Sequence, residues 1–183
     1  MDLTHKFLIA MPAMADPNFA GSVVYVCEHT DKGALGLVIN RPTELTLEGL
    51  FDKIDLKLEI APWKDAPVYF GGPVQTERGF VLHVPAGSYS STLPVRDDIA
   101  LTTSKDILEA VAGGGGPAKL LVTLGYSGWG AGQLESEVSA NAWLTVDAQQ
   151  SIIFDTPAEG RQAAALRLLG VDPSHLSAQA GHA

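Results

Sequence analysis

The sequence predicts a single α+β domain built on a mostly antiparallel or mixed sheet. The chain has 183 residues, 46% of them apolar and 18% charged, which is enough for one substantial core. Its apolar runs are short, rich in β-branched residues and often adjacent in sequence with only a turn between them. About eight strands with about four interspersed helices, in one domain covering 1–183, fit this pattern.

The N-terminal third predicts a strand followed by a hairpin. "KFLIAM" indicates a buried strand, and "GSVVYVCEH" (21–29) with "LGLVIN" (35–40) indicates two strands joined by a turn. Strict alternation along the first arm of the hairpin places Cys27 and His29 on one face.

A helix follows, and more strands come after it. Thr46 is a good N-cap, and a stripe of apolar residues at helical spacing comes next: Leu47, Leu50, Phe51 and Ile54. "PVYFGG" and "GFVLHV" indicate two strands separated by the segment "PVQTER". A polar connection at 85–98 leads into the strand "IALT".

The second half alternates between helices and strands. A helix capped by Ser104 or Thr103 ends at the glycine run 113–116. "KLLVTLG" indicates a buried strand, a helix is expected from about Ala131 to Ala140, and "AWLTV" and "SIIFD" indicate two further strands.

The last helix carries the best start and stop signals. Thr156 as cap, Pro157 in the first turn and Glu159 three residues after the cap match a capping box. Gly170 provides the stop.

The charge distribution disfavours direct binding to nucleic acid. The 12 lysines and arginines are outnumbered by 21 aspartates and glutamates, giving a formal charge of −9. The basic residues are also scattered along the chain, whereas affinity for a nucleic acid rests largely on neutralising phosphates.

Cysteine content and hydropathy favour a cytoplasmic protein. Cys27 is the single cysteine, so an internal disulfide is impossible. "FLIAMPAMA" resembles a short secretory signal, but Pro12 interrupts its apolar run and a buried strand is the preferred interpretation. Every apolar run is shorter than the ~18 residues of a membrane-spanning helix, so we expect no membrane insertion.

Ser127 sits between glycines in "GYSGWG" but does not fit a catalytic nucleophile. The nucleophile elbow G-x-S-x-G needs a small residue where this sequence has Trp129. The histidines that follow, His175 and His182, lie in a polar tail. We therefore predict no catalytic residue at this position.

No cofactor motif fits its required context either. "GGGGPAK" contains the glycine spacing of a dinucleotide site, but it follows a predicted helix and precedes a strand, which is the reverse of the required order. Lys119 also lacks the neighbours of a phosphate-binding loop. We expect a flexible connection and no bound cofactor.

Cys27 and His29 define one alternative chemistry. Two residues apart on one strand face, they would be close enough for the histidine to favour a thiolate, or for both to touch one metal ion. A metal needs three or four ligands, so the pair alone predicts no metal site. A redox role stays open beside the simpler interpretation of a buried, inert cysteine.

Polar residues at strand ends form the second candidate site. Arg41 in "NRP" and Arg78 in "ERGFVLH" either bind an anionic ligand or pair with Glu28, Glu135 or Glu137. Glu135 and Glu137 are two apart in one predicted helix, so they point in different directions and fit a catalytic acid–base pair poorly.

Four blocks of the sequence resemble the bacterial YqgE/AlgH family over essentially the whole chain: "FLIAMPAMADPNFAGSVVYVCEHTDKGALGLVINRP", "GGPVQTERGFVLH", "LGYSGWGAGQLESEVSANAWL" and the terminal "GHA". The resemblance implies a curved sheet approaching a partial barrel, and one branch of the family is labelled a transcriptional regulator. The motif positions it assigns are Asp16, His29, Asn40, Arg41, Pro42, Gly71, Gly72, Arg78, Gly79, His83, Trp129, Gln133, Glu135 and Asn141.

These observations predict a non-enzymatic binding or regulatory protein that acts through a protein partner or a small anionic ligand. The expected ligand-facing residues are Asn40, Arg41, Arg78, His83 and Glu135. The alternatives are a thiol-dependent redox sensor or enzyme using Cys27 and His29, and a transcriptional regulator. The sequence leaves the oligomeric state open.

Overall fold

The computed structural model describes residues 1–61 and 63–172. Within them the strands are Lys6–Ala10 (β1), Val23–Thr30 (β2), Gly33–Val38 (β3), Pro42–Thr46 (β4), Pro67–Phe70 (β5), Val74–Val84 (β6), Thr92–Arg96 (β7), Ile99–Thr102 (β8), Lys119–Gly130 (β9) and Trp143–Asp147 (β10). The α-helices are Leu47–Lys53 (α1), Asp106–Ala112 (α2), Gln133–Ser139 (α3), Gln150–Phe154 (α4) and Arg161–Leu168 (α5). Short 3-10 turns occupy Trp63–Asp65 and Ala158–Gly160.

The strands form one curled sheet, a half-barrel, in the order β10-β1-β2-β3-β9-β6-β8-β7, with β4 attached through β5. The twelve-residue strand β9 joins the two halves, because its first half pairs with β6 and its last four residues pair with β3. The paired strands run antiparallel, including β4 with β5, except that β5 runs parallel to β9. The α+β class and the curved, mostly antiparallel sheet are therefore confirmed.

Three apolar clusters organise the packing. The interior of the half-barrel joins side chains from both halves, such as Tyr25 and Leu82, and is covered by Ile153 of α4 and Leu166 of α5. On the outer faces, α3 covers β1–β3 through Leu134. Helices α1 and α2 cover β5, β6 and β9 in the same way. Residues 1–61 and 63–172 contain five α-helices, where the sequence indicated about four.

The strand predicted for "SIIFD" is wrong, because residues 150–154 form the helix α4. A five-residue apolar run fits a buried strand and a buried helical turn equally well. Here Ile152 and Ile153 both pack into the half-barrel interior.

Two predicted helix starts are also wrong in detail. The Thr156 hydroxyl donates to the Ser151 carbonyl and so does not cap a following helix, and α5 begins only at Arg161 after the 3-10 turn. The cap of α2 is Lys105, and Ser104 donates instead to Asp106. The Thr46 cap of α1 and the glycine stop at Gly170 are confirmed.

Two segments expected as connections belong to the sheet. The predicted polar loop 85–98 contains β7, which pairs with β8. "PVQTER" largely forms the start of β6, whose ladder with β9 is interrupted between Val74 and Gly79. We call the exposed residues 75–78 the β6 arm.

Candidate functional site

Asn40 and Arg41 hold the loop between β1 and β2. The Asn40 amide oxygen accepts from Val23 N–H at 2.9 Å, and its amide nitrogen donates to the Gly21 carbonyl at 3.1 Å. The Arg41 guanidinium donates to the carbonyls of Asn18 and Ala20 at 2.8 and 3.0 Å. It also lies 5.5 Å from the centroid of the Phe70 ring, so its donors are directed mainly at the protein.

Arg78 has a different setting, on the exposed β6 arm. Its guanidinium donates to the Gln75 side chain at 3.2 Å and lies 5.6 Å from the centroid of the Phe80 ring. Phe80 in turn makes an edge contact with Tyr126, at 5.3 Å between centroids. Arg78 is thus a solvent-facing cation that rests on an aromatic base.

His83 is fully buried in the ladder between β6 and β8. Its Nδ1 lies 2.9 Å from the Pro85 carbonyl and its Nε2 lies 2.7 Å from the Thr102 hydroxyl. Burial lowers the pKa of His83, although the hydrogen bond to Pro85 opposes this shift. Both ring nitrogens are engaged, so the structure does not bring His83 together with Arg41 and Arg78 as one exposed group.

The structure does bring His29 together with Glu135. A bulge between Val26 and Glu28 shifts the register of β2, so the prediction that Cys27 and His29 share a face is wrong. Cys27 packs in the half-barrel interior, whereas His29 pairs opposite Ala34 on the face that α3 covers. Its Nε2 there faces Glu135 Oε1 at 3.1 Å.

Neither nitrogen of the His29 ring is open to a substrate, because Nδ1 is hydrogen-bonded and Nε2 is buried. Nδ1 accepts from Leu3 N–H at 3.0 Å, so in the neutral ring the proton lies on Nε2 and faces Glu135. The Nε2 and Oε1 atoms are close but not aligned as a hydrogen bond. The backbone N–H of Glu135 and the contact with His29 hold the pKa of this carboxyl below its usual range. The pair ties α3 to β2.

Glu137 organises a cluster that sequence reasoning missed. Its carboxylate accepts from the indole N–H of Trp129 at 3.0 Å and of Trp143 at 2.9 Å, and from the Gln133 amide at 2.9 Å. Phe19 packs against both tryptophans. In the sequence, the signal for this cluster is Glu137, which follows Gln133 by one helical turn. The helix that holds both residues lies between Trp129 and Trp143.

The potential nucleophiles are enclosed. Cys27 is 2% exposed and burial raises the pKa of its thiol. Ser127 is fully buried, and its hydroxyl donates to the Gly71 carbonyl at 3.0 Å. His175 and His182 lie outside the described residues.

The glycine pair of the "GGP" motif has a structural cause. Gly71 donates its N–H to Leu124 and accepts from Val38 N–H, so the chain is held between β3 and β9. Gly72 has φ +152°, and a side chain there would collide with the backbone of Tyr126. This close approach explains the glycines without a bound phosphate.

An open groove of about 410 Å³ lies beside the β2–β3 hairpin. Its lining includes Glu28, Lys32, Leu35, Val74, Tyr126 and Trp129. We call this surface the hairpin groove. Arg78 does not line this groove, and the β6 arm lines a separate pocket of about 590 Å³. Arg78 is linked to the groove through Phe80, whose ring lies beneath the guanidinium and contacts Tyr126.

Grouped metal ligands and membrane-spanning helices are both absent from the part of the chain that the structure describes. Among residues 1–61 and 63–172, no three His, Cys, Asp or Glu side chains are grouped so that they could hold a metal ion. No helix in those residues is both long and apolar enough to cross a bilayer.

Comparison with known proteins places the chain in a family. The AlgH-like family profile matches residues 7–174. A UPF0301 protein of Bordetella petrii is 68% identical over 182 residues, covering 100% of this chain and 90% of the relative. A UPF0301 protein of Ralstonia nicotianae is 66% identical over 183 residues, covering 100% and 96%.

Solved structures are also similar to the chain. The solution structure of the AlgH protein from Pseudomonas aeruginosa has a TM-score of 0.82 and 54% identity, covering 100% of this chain and 97% of that one. A crystal structure of a Corynebacterium diphtheriae protein, at 19% identity, has a TM-score of 0.71 over 90% and 86% of the two chains and shares the fold. The chain therefore belongs to the AlgH-like family, also designated UPF0301, as its sequence motifs predicted.

Proposed function

We propose that this protein is a non-catalytic binding protein that engages a protein partner through the hairpin groove and the adjoining Arg78. The observation that carries the proposal is the groove itself, which has a volume of about 410 Å³ and combines the partly exposed ring of Tyr126 with charges of both signs. Tyrosine, tryptophan and arginine are the residues most enriched at the energetic centres of protein interfaces.

The state of the other candidate groups supports a binding role over a catalytic one. His29 and His83 each have both ring nitrogens directed at the protein, and Cys27 and Ser127 are buried. A general base or nucleophile must reach the substrate within hydrogen-bonding distance. In this conformation the four side chains serve packing instead.

The character of the groove favours a protein partner over nucleic acid. Glu28 and Lys32 line the groove, and Glu77 adjoins Arg78 on the arm, so acids and bases alternate. With a net charge of −9 on the whole chain, a polyanion would meet repulsion. A mixed surface suits complementary charges on a protein.

We propose that this binding takes place in the cytoplasm. Cys27 is a free, buried thiol, and a chain with a single unpaired cysteine suits a reducing compartment.

Photo-crosslinking in cells of the source organism tests the proposal. A photoreactive amino acid replaces Lys32 in the groove or, as control, the exposed Lys53 of α1. We expect a discrete protein adduct from position 32 that position 53 does not give. Arg78→Ala should reduce this adduct roughly tenfold, as expected of an interface arginine, whereas the exposed Arg167→Ala should not. The same products from both positions, or an adduct that ignores Arg78, would refute the proposal.

A further inference from the structure

A second, smaller cavity lies among β5, β9 and α4, and the buried Arg161 at the start of α5 lines it. Its volume is about 150 Å³. The walls are almost entirely apolar or aromatic: Leu47, Trp63, Ala66, Pro67, Tyr69, Leu120, Leu121, Val122, Ile153 and Phe154, with Arg161 as the charged member.

Arg161 is 5% exposed, and the groups that its guanidinium contacts are neutral. Nε donates to the Thr156 carbonyl at 2.9 Å, and Nη1 donates to the Ile39 carbonyl. The guanidinium carbon lies 5.0 Å from the centroid of the Tyr69 ring, which itself lines the cavity. These contacts use two of the five N–H donors and leave Nη2 without a hydrogen bond to any described residue.

No carboxylate among residues 1–61 and 63–172 pairs with this guanidinium. Asp155 pairs with Lys119 at 2.7 Å, and Glu159 is exposed. A buried charge is normally matched by an opposite charge, because removing it from water is costly. Arg161 has no such match among the described residues, and its unbonded Nη2 is not sealed off from solvent, so an anion that enters the cavity would supply the opposite charge.

The size and lining of the cavity define the chemistry of that anion. A cavity of about 150 Å³ can hold a molecule of the size of benzene. A guanidinium recognises a carboxylate through a planar fork of donors, and aromatic walls suit a compact apolar body.

We infer that this cavity is a binding site for a small monocarboxylate with a ring-sized apolar body, with Arg161 bound to the carboxylate. Tyr69 and Trp63 contact the apolar part. The site shares no lining residue with the hairpin groove. Binding at the cavity can therefore be tested independently of binding at the groove.

Titration of the full chain with benzoate, followed by NMR of the Trp63 indole, tests the inference. Benzamide serves as the neutral probe of nearly the same shape. We expect saturable one-to-one binding of benzoate, about tenfold or more tighter than that of benzamide, because the charge-assisted hydrogen bonds are lost with the amide.

Two variants locate the binding. Ala66→Phe fills the cavity and leaves Arg161 in place, and it should weaken benzoate binding at least about tenfold. Ala131→Phe, at an exposed position before α3, should leave binding unchanged. Arg161→Met should remove the preference for benzoate over benzamide.

Three results would overturn the inference: no saturable shift with benzoate, equal binding of both probes, or full binding by Ala66→Phe. Because Arg161 also bonds two carbonyls, Arg161→Met can destabilise the fold. The probe comparison and Ala66→Phe decide the question without it.

Discussion

The thiol of Cys27 lies among Tyr25, Leu37 and other apolar side chains inside the half-barrel. Burial raises the pKa of the thiol, so the reactive thiolate is scarce at neutral pH. We expect the native protein to resist alkylation by iodoacetamide up to about pH 8.5, where an exposed thiol reacts readily, and the unfolded chain to react fully. Intact-mass measurement gives the fraction of the protein that is alkylated at Cys27. Rapid native alkylation below about pH 8 would favour the redox alternative over the binding role.

His83 and His5 couple stability to pH. Burial lowers the pKa of both imidazoles, although Asp97 opposes the shift at His5. The unfolded chain therefore binds more protons than the folded one. The contribution of the two neutral imidazoles to the free energy of unfolding is complete above the unfolded pKa of about 6.5, and it is lost as pH falls through the pKa values of the folded state. We expect urea unfolding to give a lower free energy at about pH 5.5 than at about pH 7.5, with a smaller difference in His83→Gln. If the free energy of unfolding changes equally with pH in the parent protein and in His83→Gln, His83 does not cause the pH dependence.

At the scale of elements, α3 is fastened by the Glu137 carboxylate. Glu137→Ala leaves the indole N–H groups of Trp129 and Trp143 without their acceptor, which should lower the free energy of unfolding by about 1 to 3 kcal/mol. The exposed Glu109→Ala on α2 should change it by less than about 0.5 kcal/mol. Urea unfolding compares them, and equal effects would mean that the indole contacts contribute nothing.

The Gly71-Gly72 segment passes so close to β9 that residue 72 has no room for a side chain. In Gly72→Ala the new methyl group meets the Tyr126 backbone at a positive φ, so we expect a loss of about 3 kcal/mol or more, or failure to fold. Gly115→Ala, where a methyl group meets nothing within 4 Å, is the matched control. Thermal unfolding of the soluble proteins measures the difference, and a stable Gly72→Ala would contradict the assigned packing.

The sequence predicted some elements for sound physical reasons and missed others for equally clear ones. Helix α1 was predictable because its cap and apolar stripe are local signals. The bulge in β2 is not encoded in the alternation of residues, so the face of His29 was predicted wrongly. The contact of His29 with Glu135 depends on how α3 packs across β2, and Arg161 acquires its cavity only when α5 closes the half-barrel. Tertiary arrangements of this kind leave no periodic signal.

For the molecule as a whole, the family and the curved sheet could be recognised from long sequence blocks, whereas the separation of the polar motif residues could not. Arg41 and His83 turned out to be directed into the protein, and Arg78 alone of the three extends from an exposed arm. The central claim is that the chain works by binding a protein partner at the hairpin groove beside Arg78.

Native mass spectrometry of the chain isolated from its own cells, compared with its denatured mass, tests that claim most directly. We predict an added protein mass that disappears on denaturation, is lost in Arg78→Ala and persists in Arg167→Ala. A bare polypeptide in every sample, or a complex indifferent to Arg78, would contradict the claim.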